Sequence, residues 1–277
     1  MKSFDVIRPG VVLFLAGVDD CADRVQLSSG MVAAPAATPG VVYKDGAMIP
    51  RLGWRSLTMA DRNALVAESC PTDYGNAISV IRLPSQLLNP FRSLRAAAAQ
   101  YRSNDQLFPI IRSENCLKGT DAIAAYLNQR FQRSTIDDDC ALEGGIEAHL
   151  PRLQTITADP ENDAFIGLHV DNFYDFALSR REDSPNRVCV NLGSEDRYFL
   201  FLNIPLGQLC KLMKNESSGE KDFMRSFPSY PIVRVRVRSG EAYVAPTENI
   251  VHDGSSIDMN TMDITFSVRG RFDLCPN

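Results

Sequence analysis

The sequence predicts a mainly β fold, a jelly-roll barrel or sandwich with helices packed on one face. Three observations carry that prediction. The second half holds six short apolar-rich segments, at 164–171, 187–192, 197–204, 232–238, 241–245 and 263–272, divided by turn-rich pieces such as Ser184-Pro185-Asn186, Ser239-Gly240 and Asp253-Gly254-Ser255. The first half carries helix patterns with the 3.6-residue period. No internal repeat, low-complexity tract or linker interrupts the 277 residues, and barrels of this size often form one unit. The chain therefore reads as a single domain over 1–277, with a core at about 160–274 and helical and strand support in 1–159.

The elements follow in order. Residues 11–16 form a short apolar strand candidate. Val41-Val42-Tyr43 and Ala47-Met48-Ile49 flank Lys44-Asp45-Gly46, and Asp-Gly is a strong hairpin turn. Thr58 offers a capping hydroxyl and Asp61 an acidic first turn to a helix running into 62–68. Residues 77–83 read as a strand. The alanine run Ala96–Ala99 places a helix at 91–101. Thr120 and Asp121 cap a helix at 122–131, whose Ile123, Ala124, Tyr126, Leu127 and Phe131 share a face. Residues 134–163, with Asp137-Asp138-Asp139 and Gly144-Gly145, read as loop-rich. In the second half only 206–214 looks helical.

Composition excludes several functions. A net charge of -5 argues against a nucleic-acid binder. No apolar run reaches the ~18 residues that span a bilayer, and no basic-apolar-small signal pattern opens the chain. A cytoplasmic protein is expected. Seven scattered cysteines without a Cys-x-x-Cys pair suggest reduced thiols rather than a disulfide framework or zinc site. Cys189 and Cys210, in apolar stretches, read as small buried hydrophobes.

Two of the three histidines sit in one pattern: Gly167-Leu168-His169-Val170-Asp171, then Val251-His252-Asp253-Gly254, then Ser267-Val268-Arg269. In a strand, His169 and Asp171 point the same way. His252, 81 positions after Asp171, suits a strand returning across the barrel. Two neutral imidazoles and one carboxylate can hold one face of an iron(II) ion and leave the other face open. In the last segment Thr265, Ser267 and Arg269 share a face. A guanidinium with hydroxyls beside it makes a carboxylate clamp. The bland reading is a surface His-Asp couple and a core histidine.

The chain here resembles the iron(II)- and 2-oxoglutarate-dependent oxygenases, over roughly 164–272, through His-x-Asp, the distant His and the Arg that follows it. The stretch 240–246 is also similar to that family's approach to its distal histidine. The resemblance implies a double-stranded β-helix (cupin-like jelly-roll) core and a metal held by His169, Asp171 and His252. It implies 2-oxoglutarate and dioxygen as co-substrates, with Arg269 on the far carboxylate, helped by Ser267 or Thr265. Halogenating members lack the carboxylate ligand, so Asp171 implies oxygenation. The expected outcome is hydrogen abstraction leading to hydroxylation, or to oxidative cyclisation, desaturation or epimerisation, on a small molecule of specialised, antibiotic-type metabolism. The alternative is a cupin-like metal-dependent isomerase or lyase without 2-oxoglutarate, which would need no clamp.

Other candidates have two readings each. Phe173 and Tyr174 are placed to roof the metal. Asn191 and Arg187 share a face of a neighbouring strand and either bond the co-substrate or pack. His149 is a substrate contact or, more commonly, a partly exposed surface histidine. Trp54 is core or a pocket wall. Arg234, Arg236 and Arg238 alternate with valines and form either a solvated sheet face or an anion-recognition wall. The 137–139 aspartates are a solvated loop or a greeting for a cationic substrate. The sequence does not specify the oligomeric state.

Overall fold

The computed structural model of the chain describes residues 10–15, 23–35, 37–38, 40–131, 144–213 and 219–276. In the first half, the strands are β1 (Val12–Leu15), β2 (Val25–Leu27), β3 (Met31–Ala33), β4 (Ala37–Thr38), β5 (Val41–Val42), β6 (Met48–Pro50) and β7 (Arg55–Ser56). Helix α1 (Met59–Leu65), β8 (Ala77–Arg82), α2 (Arg92–Gln100), α3 (Asn104–Ile111), α4 (Glu114–Phe131) and β9 (Gly144–His149) follow. The second half runs β10 (Ala158–Asp159), β11 (Ala164–Phe165), β12 (Asn186–Asn191), β13 (Arg197–Pro205), α5 (Leu206–Met213), α6 (Glu220–Ser226), β14 (Val233–Val237), β15 (Glu241–Ala245), β16 (Ile250–Ser255) and β17 (Asp263–Gly270).

Two large sheets dominate. One has the order β1-β8-β15-β12-β17-β9 and the other β16-β13-β14-β2-β7. From β12 onward the chain crosses repeatedly between them: β12 enters the first sheet, β13 and β14 the second, β15 the first, β16 the second and β17 the first. All pairs are antiparallel except β1–β8. Side chains alternate across each strand, which gives each sheet two distinct faces. Val80, Cys189 and Tyr243 from the first sheet join Phe199, Phe201, Val233, Val235 and Val237 from the second in one buried cluster, so the sheets pack face to face. Two buried ion pairs tie them: Arg24 before β2 to Glu241 on β15 at 2.6 Å, and Arg197 on β13 to Asp263 on β17 at 3.0 Å.

The opposite face of the first sheet carries Val188, Val190, Val244, Ile264 and Phe266. It is covered by Leu94 of α2, Leu107 of α3 and Ile123 and Leu127 of α4. That bears out the expected helical layer. The second sheet has a layer of its own, because Leu200, Leu202 and Ile204 pack on Leu209 of α5 and Phe223 and Met224 of α6. Sequence reading missed α3 and α6.

Local predictions fare unevenly. Thr58 caps α1 as expected, in a capping box with Asp61, but the helix stops at Leu65 because Val66 is extended and bridges Leu13. Helix α4 begins at Glu114, not near Asp121. Thr120 lies inside it and donates its hydroxyl to the Leu117 carbonyl at 2.7 Å, a mid-helix use of a residue that also caps. Gly119 lets α4 approach closely, since a Cβ there would meet the Phe91 ring at 2.7 Å. The Lys44–Gly46 turn forms, but its flanks do not pair as a hairpin. Strand β5 pairs with β4 and β6 with β3. Gly144 and Gly145, expected in a loop, belong to β9 at the sheet edge, paired with β17. Asp253-Gly254-Ser255, expected as a turn, lies within β16. The expected strand at 164–171 shrinks to Ala164–Phe165, because Gly167 turns the chain at φ 72°, where a Cβ would collide with the Met48 carbonyl at 2.5 Å. The 137–139 aspartates fall outside the described residues.

The expectation of reduced thiols fails for two cysteines. Cys70 and Cys275 form a disulfide with Cα atoms 6.4 Å apart, 205 positions apart in sequence. Only the fold brings the C-terminal segment back beside the loop after α1. Cys116, Cys189 and Cys210 lie outside that disulfide and are buried, as expected for the last two. No helix among the described residues is long and apolar enough to cross a membrane.

Candidate metal centre

His252 sits on β16, on the face that Ile250 turns toward the inter-sheet core. His169 is not in a strand ladder as expected. It forms an isolated antiparallel bridge to His252, with backbone bonds of 3.1 and 2.8 Å in the two directions. Asp171 follows outside any strand, its N–H donated to the Thr247 carbonyl at 3.1 Å. The inference that both side chains share a face thus reaches the right result through a different backbone.

The three side chains converge. One ligand atom from each of His169, Asp171 and His252 lies within 4.8 Å of the others. His169 Nε2 is 3.4 Å from Asp171 Oδ1, and His252 Nε2 is 3.8 Å from Asp171 Oδ2. Each imidazole turns Nδ1 to a backbone carbonyl: His169 to Gly167 at 2.9 Å and His252 to Ile250 at 3.2 Å. A donor at Nδ1 leaves the Nε2 lone pair free, the tautomer a metal requires. Asp171 Oδ2 is buried without a hydrogen-bond partner. A buried carboxylate oxygen without a hydrogen bond is costly unless positive charge stands beside it, and here the nearest guanidiniums are 3.7 and 3.8 Å away, beyond hydrogen-bond reach.

Electrostatics agree with that reading. Burial holds His252 neutral, its pKa down at about 3 despite the nearby Asp171. Burial would raise the Asp171 carboxyl, but His252, His169 and Arg187 outweigh it and hold it well below the usual range. Burial depresses His169, yet Asp171 and Asp253 together leave its pKa raised. Asp253 is the residue after His252. It is fully buried, with Oδ2 3.8 Å from His169 Nδ1, and burial pushes its carboxyl up.

Strands β12 and β17 bring a cationic wall to this centre. Arg187 and Arg269 are register partners. Their guanidiniums lie 3.8 and 3.7 Å from Asp171 Oδ2. Arg187 donates to Ser267 Oγ at 3.0 Å and Glu147 at 3.3 Å. Arg269 Nε is buried without a partner, and its guanidinium stacks 3.4 Å above the Phe173 ring. Phe173 therefore roofs Arg269, with 60% of its own surface exposed.

Other candidates divide. Thr265 and His149 line the same small polar cavity as His252, Arg187, Arg197 and Tyr243. His149 is thus a cavity residue rather than a surface one. Its Nδ1 lacks a hydrogen-bond partner, and burial lowers its pKa against the pull of Asp263. Asn191 is not brought to the metal centre. Its amide donates to the Glu195 and Val237 carbonyls and accepts from Gly193 N–H, so it braces the β12 turn. Trp54 is on the outer side of the second sheet. Arg234 is held there between the Trp54 and Tyr198 rings, at 4.5 and 4.3 Å. That aromatic clamp replaces the solvated or anion-reading role expected of Arg234. Tyr174 contributes its backbone N–H to Glu248. Sequence reasoning missed Glu248 and Arg181, which support the Asp171 loop. Nothing distinguishes them in sequence from exposed charges in turns.

No protein family matches the chain, and no curated protein does. Among solved structures, it is similar to the crystal structure of the non-heme alpha ketoglutarate dependent epimerase SnoN from nogalamycin biosynthesis. The identity is 13% and the TM-score 0.38, over 69% of this chain and 77% of that one. The functional case rests on the side chains themselves. Two imidazoles whose Nε2 atoms face one carboxylate, gathered at one buried point, fit the metal centre of the iron(II)- and 2-oxoglutarate-dependent oxygenase type.

Proposed function

We propose that the chain is a non-haem iron(II)- and 2-oxoglutarate-dependent oxygenase acting on a small molecule of specialised metabolism. The observation that carries this is the convergence of His169, Asp171 and His252, with each Nδ1 turned to a backbone carbonyl, both Nε2 atoms facing Asp171, and Asp171 Oδ2 without a hydrogen bond. The repeated crossing of β12–β17 between two facing sheets supports a double-stranded β-helix core. First-half strands extend both sheets, which supports reading the chain as one unit.

His169, Asp171 and His252 would hold iron(II). Bound there with 2-oxoglutarate and dioxygen, the iron supplies an oxidising chemistry that yields succinate and removes hydrogen from the substrate. The protein's share is orientation and shielding. The carbonyls of Gly167 and Ile250 fix both imidazole planes. Arg269, whose Nε is unspent, is the clamp for the far carboxylate of the co-substrate. Arg187, braced on Ser267, is a second cation beside it. Phe173 covers the clamp and limits water there.

The test is turnover under labelled dioxygen, with candidate compounds screened by substrate-dependent succinate release. One labelled oxygen in succinate is expected. Unlabelled succinate, or turnover without 2-oxoglutarate, would favour a cupin-like isomerase or lyase.

A further inference from the structure

Asp171 has no strand neighbours to fix it, yet a metal ligand must be held to within a fraction of an ångström. The structure meets that need with one buried carboxylate. Glu248 lies in the turn between β15 and β16, four residues before His252, with 2% of its side chain exposed. Its Oε1 accepts from the backbone N–H groups of Phe173 at 2.9 Å and Tyr174 at 3.0 Å. Its Oε2 accepts from Arg181 Nη1 at 3.3 Å. The same Arg181 nitrogen donates to the Asp171 carbonyl at 3.2 Å, and Nη2 donates to Asn172 Oδ1. The neighbouring Thr247 carbonyl takes the Asp171 N–H. The N–H and carbonyl of Asp171 and the N–H groups of Phe173 and Tyr174 are thus held by Thr247, Glu248 and Arg181.

We infer that Glu248, locked by Arg181, is a positioning residue for the metal centre. It replaces the missing sheet ladder. It also joins the two halves of the site, because the turn that leads to His252 holds the segment that presents Asp171. One residue further on, the same anchor sets the backbone of Phe173, whose ring lies on Arg269. Glu248 is not one of the three candidate ligands; its carboxylate is spent on Phe173, Tyr174 and Arg181, and it acts through Asp171 and Phe173.

This inference rests on the metal reading of His169, Asp171 and His252. The test is calorimetric titration of the purified full chain with Co(II) alone, well below the melting temperature of each protein. Circular dichroism of each variant confirms that it is folded. Glu248→Ala should bind Co(II) about 10–100-fold more weakly than wild type, as removal of a partner behind a metal ligand does. Glu248→Gln keeps a carbonyl oxygen for the two N–H groups and should recover most of the affinity. Arg181→Met keeps the aliphatic stem and loses the lock, so it should also weaken Co(II) binding. If Glu248→Ala does not fold, Arg181→Met decides. Variants that melt earlier but bind Co(II) as tightly as wild type overturn the inference and leave the metal reading intact. Wild-type protein that binds no Co(II) overturns the metal reading, and the inference with it.

Discussion

Replacing Asp171 with Asn separates the two duties of that carboxylate in one experiment. The side chain keeps its size and loses its charge. Asp171 Oδ2 stands 3.8 Å from Arg187 and 3.7 Å from Arg269. At an effective dielectric of about 20, each such pair is worth about 4 kcal/mol before desolvation is counted. Desolvation offsets much of that, and removing one member of a buried pair typically costs about 3–5 kcal/mol. For a chain of this length each kcal/mol shifts the melting temperature by about 2 °C, so Asp171→Asn should melt about 6–10 °C lower. The second duty is ligation. Wild type with Co(II) at a hundred times its dissociation constant gains about 2.7 kcal/mol, a rise of about 5 °C. Asp171→Asn should show little of that rise, because an amide oxygen is a poor stand-in for a charged ligand. The assay is differential scanning calorimetry of both proteins, with and without Co(II). A variant that melts lower but keeps the full Co(II)-dependent rise would show that the metal sits elsewhere. One that melts with wild type would show that the arginines do not depend on Asp171.

Arg269→Ala should raise the apparent Michaelis constant for 2-oxoglutarate far more than that for the substrate, since a lost charge-assisted pair costs several kcal/mol. An unchanged co-substrate dependence in steady-state kinetics would move the clamp to Arg187. Co(II) affinity should fall on acidification. Asp171 and Asp253 raise the His169 pKa against its burial, so protons compete with the metal there at higher pH than at an ordinary histidine, whereas His252, down at about 3, offers no such competition near neutrality. Titrations in buffers of different ionisation enthalpy should find proton release on binding that grows as pH falls through the His169 pKa. A pH-independent affinity would contradict the ligand assignment. Reducing Cys70–Cys275 frees a loop of 205 residues, worth up to about 5 kcal/mol in the chain-entropy limit. Dithiothreitol should lower the melting temperature accordingly, and a Cys275→Ser variant should be insensitive to it.

Periodicity and residue chemistry were enough to mark the strands from β12 to β15, β17, the helical layer and the three side chains that converge at the candidate metal centre. These features are local. Alternation at Val233–Val237, the apolar face of Ile123, Leu127 and Phe131, and the rarity of histidine are each visible within one segment. What the sequence could not determine depends on contacts between distant segments. Gly167 ends the strand before His169 because the Met48 backbone lies against it. Asp171 is held by a turn 76 positions later, and an acid in a turn looks like any solvated charge until the turn is buried. Asn191 has the donors of a co-substrate ligand, but its amide is satisfied by its own turn and by β14. Cys70 meets Cys275 only after every intervening strand has found its sheet. Composition assigns the chemistry available to this chain. Packing decides which of those groups meet and which of them remain unspent at the metal centre.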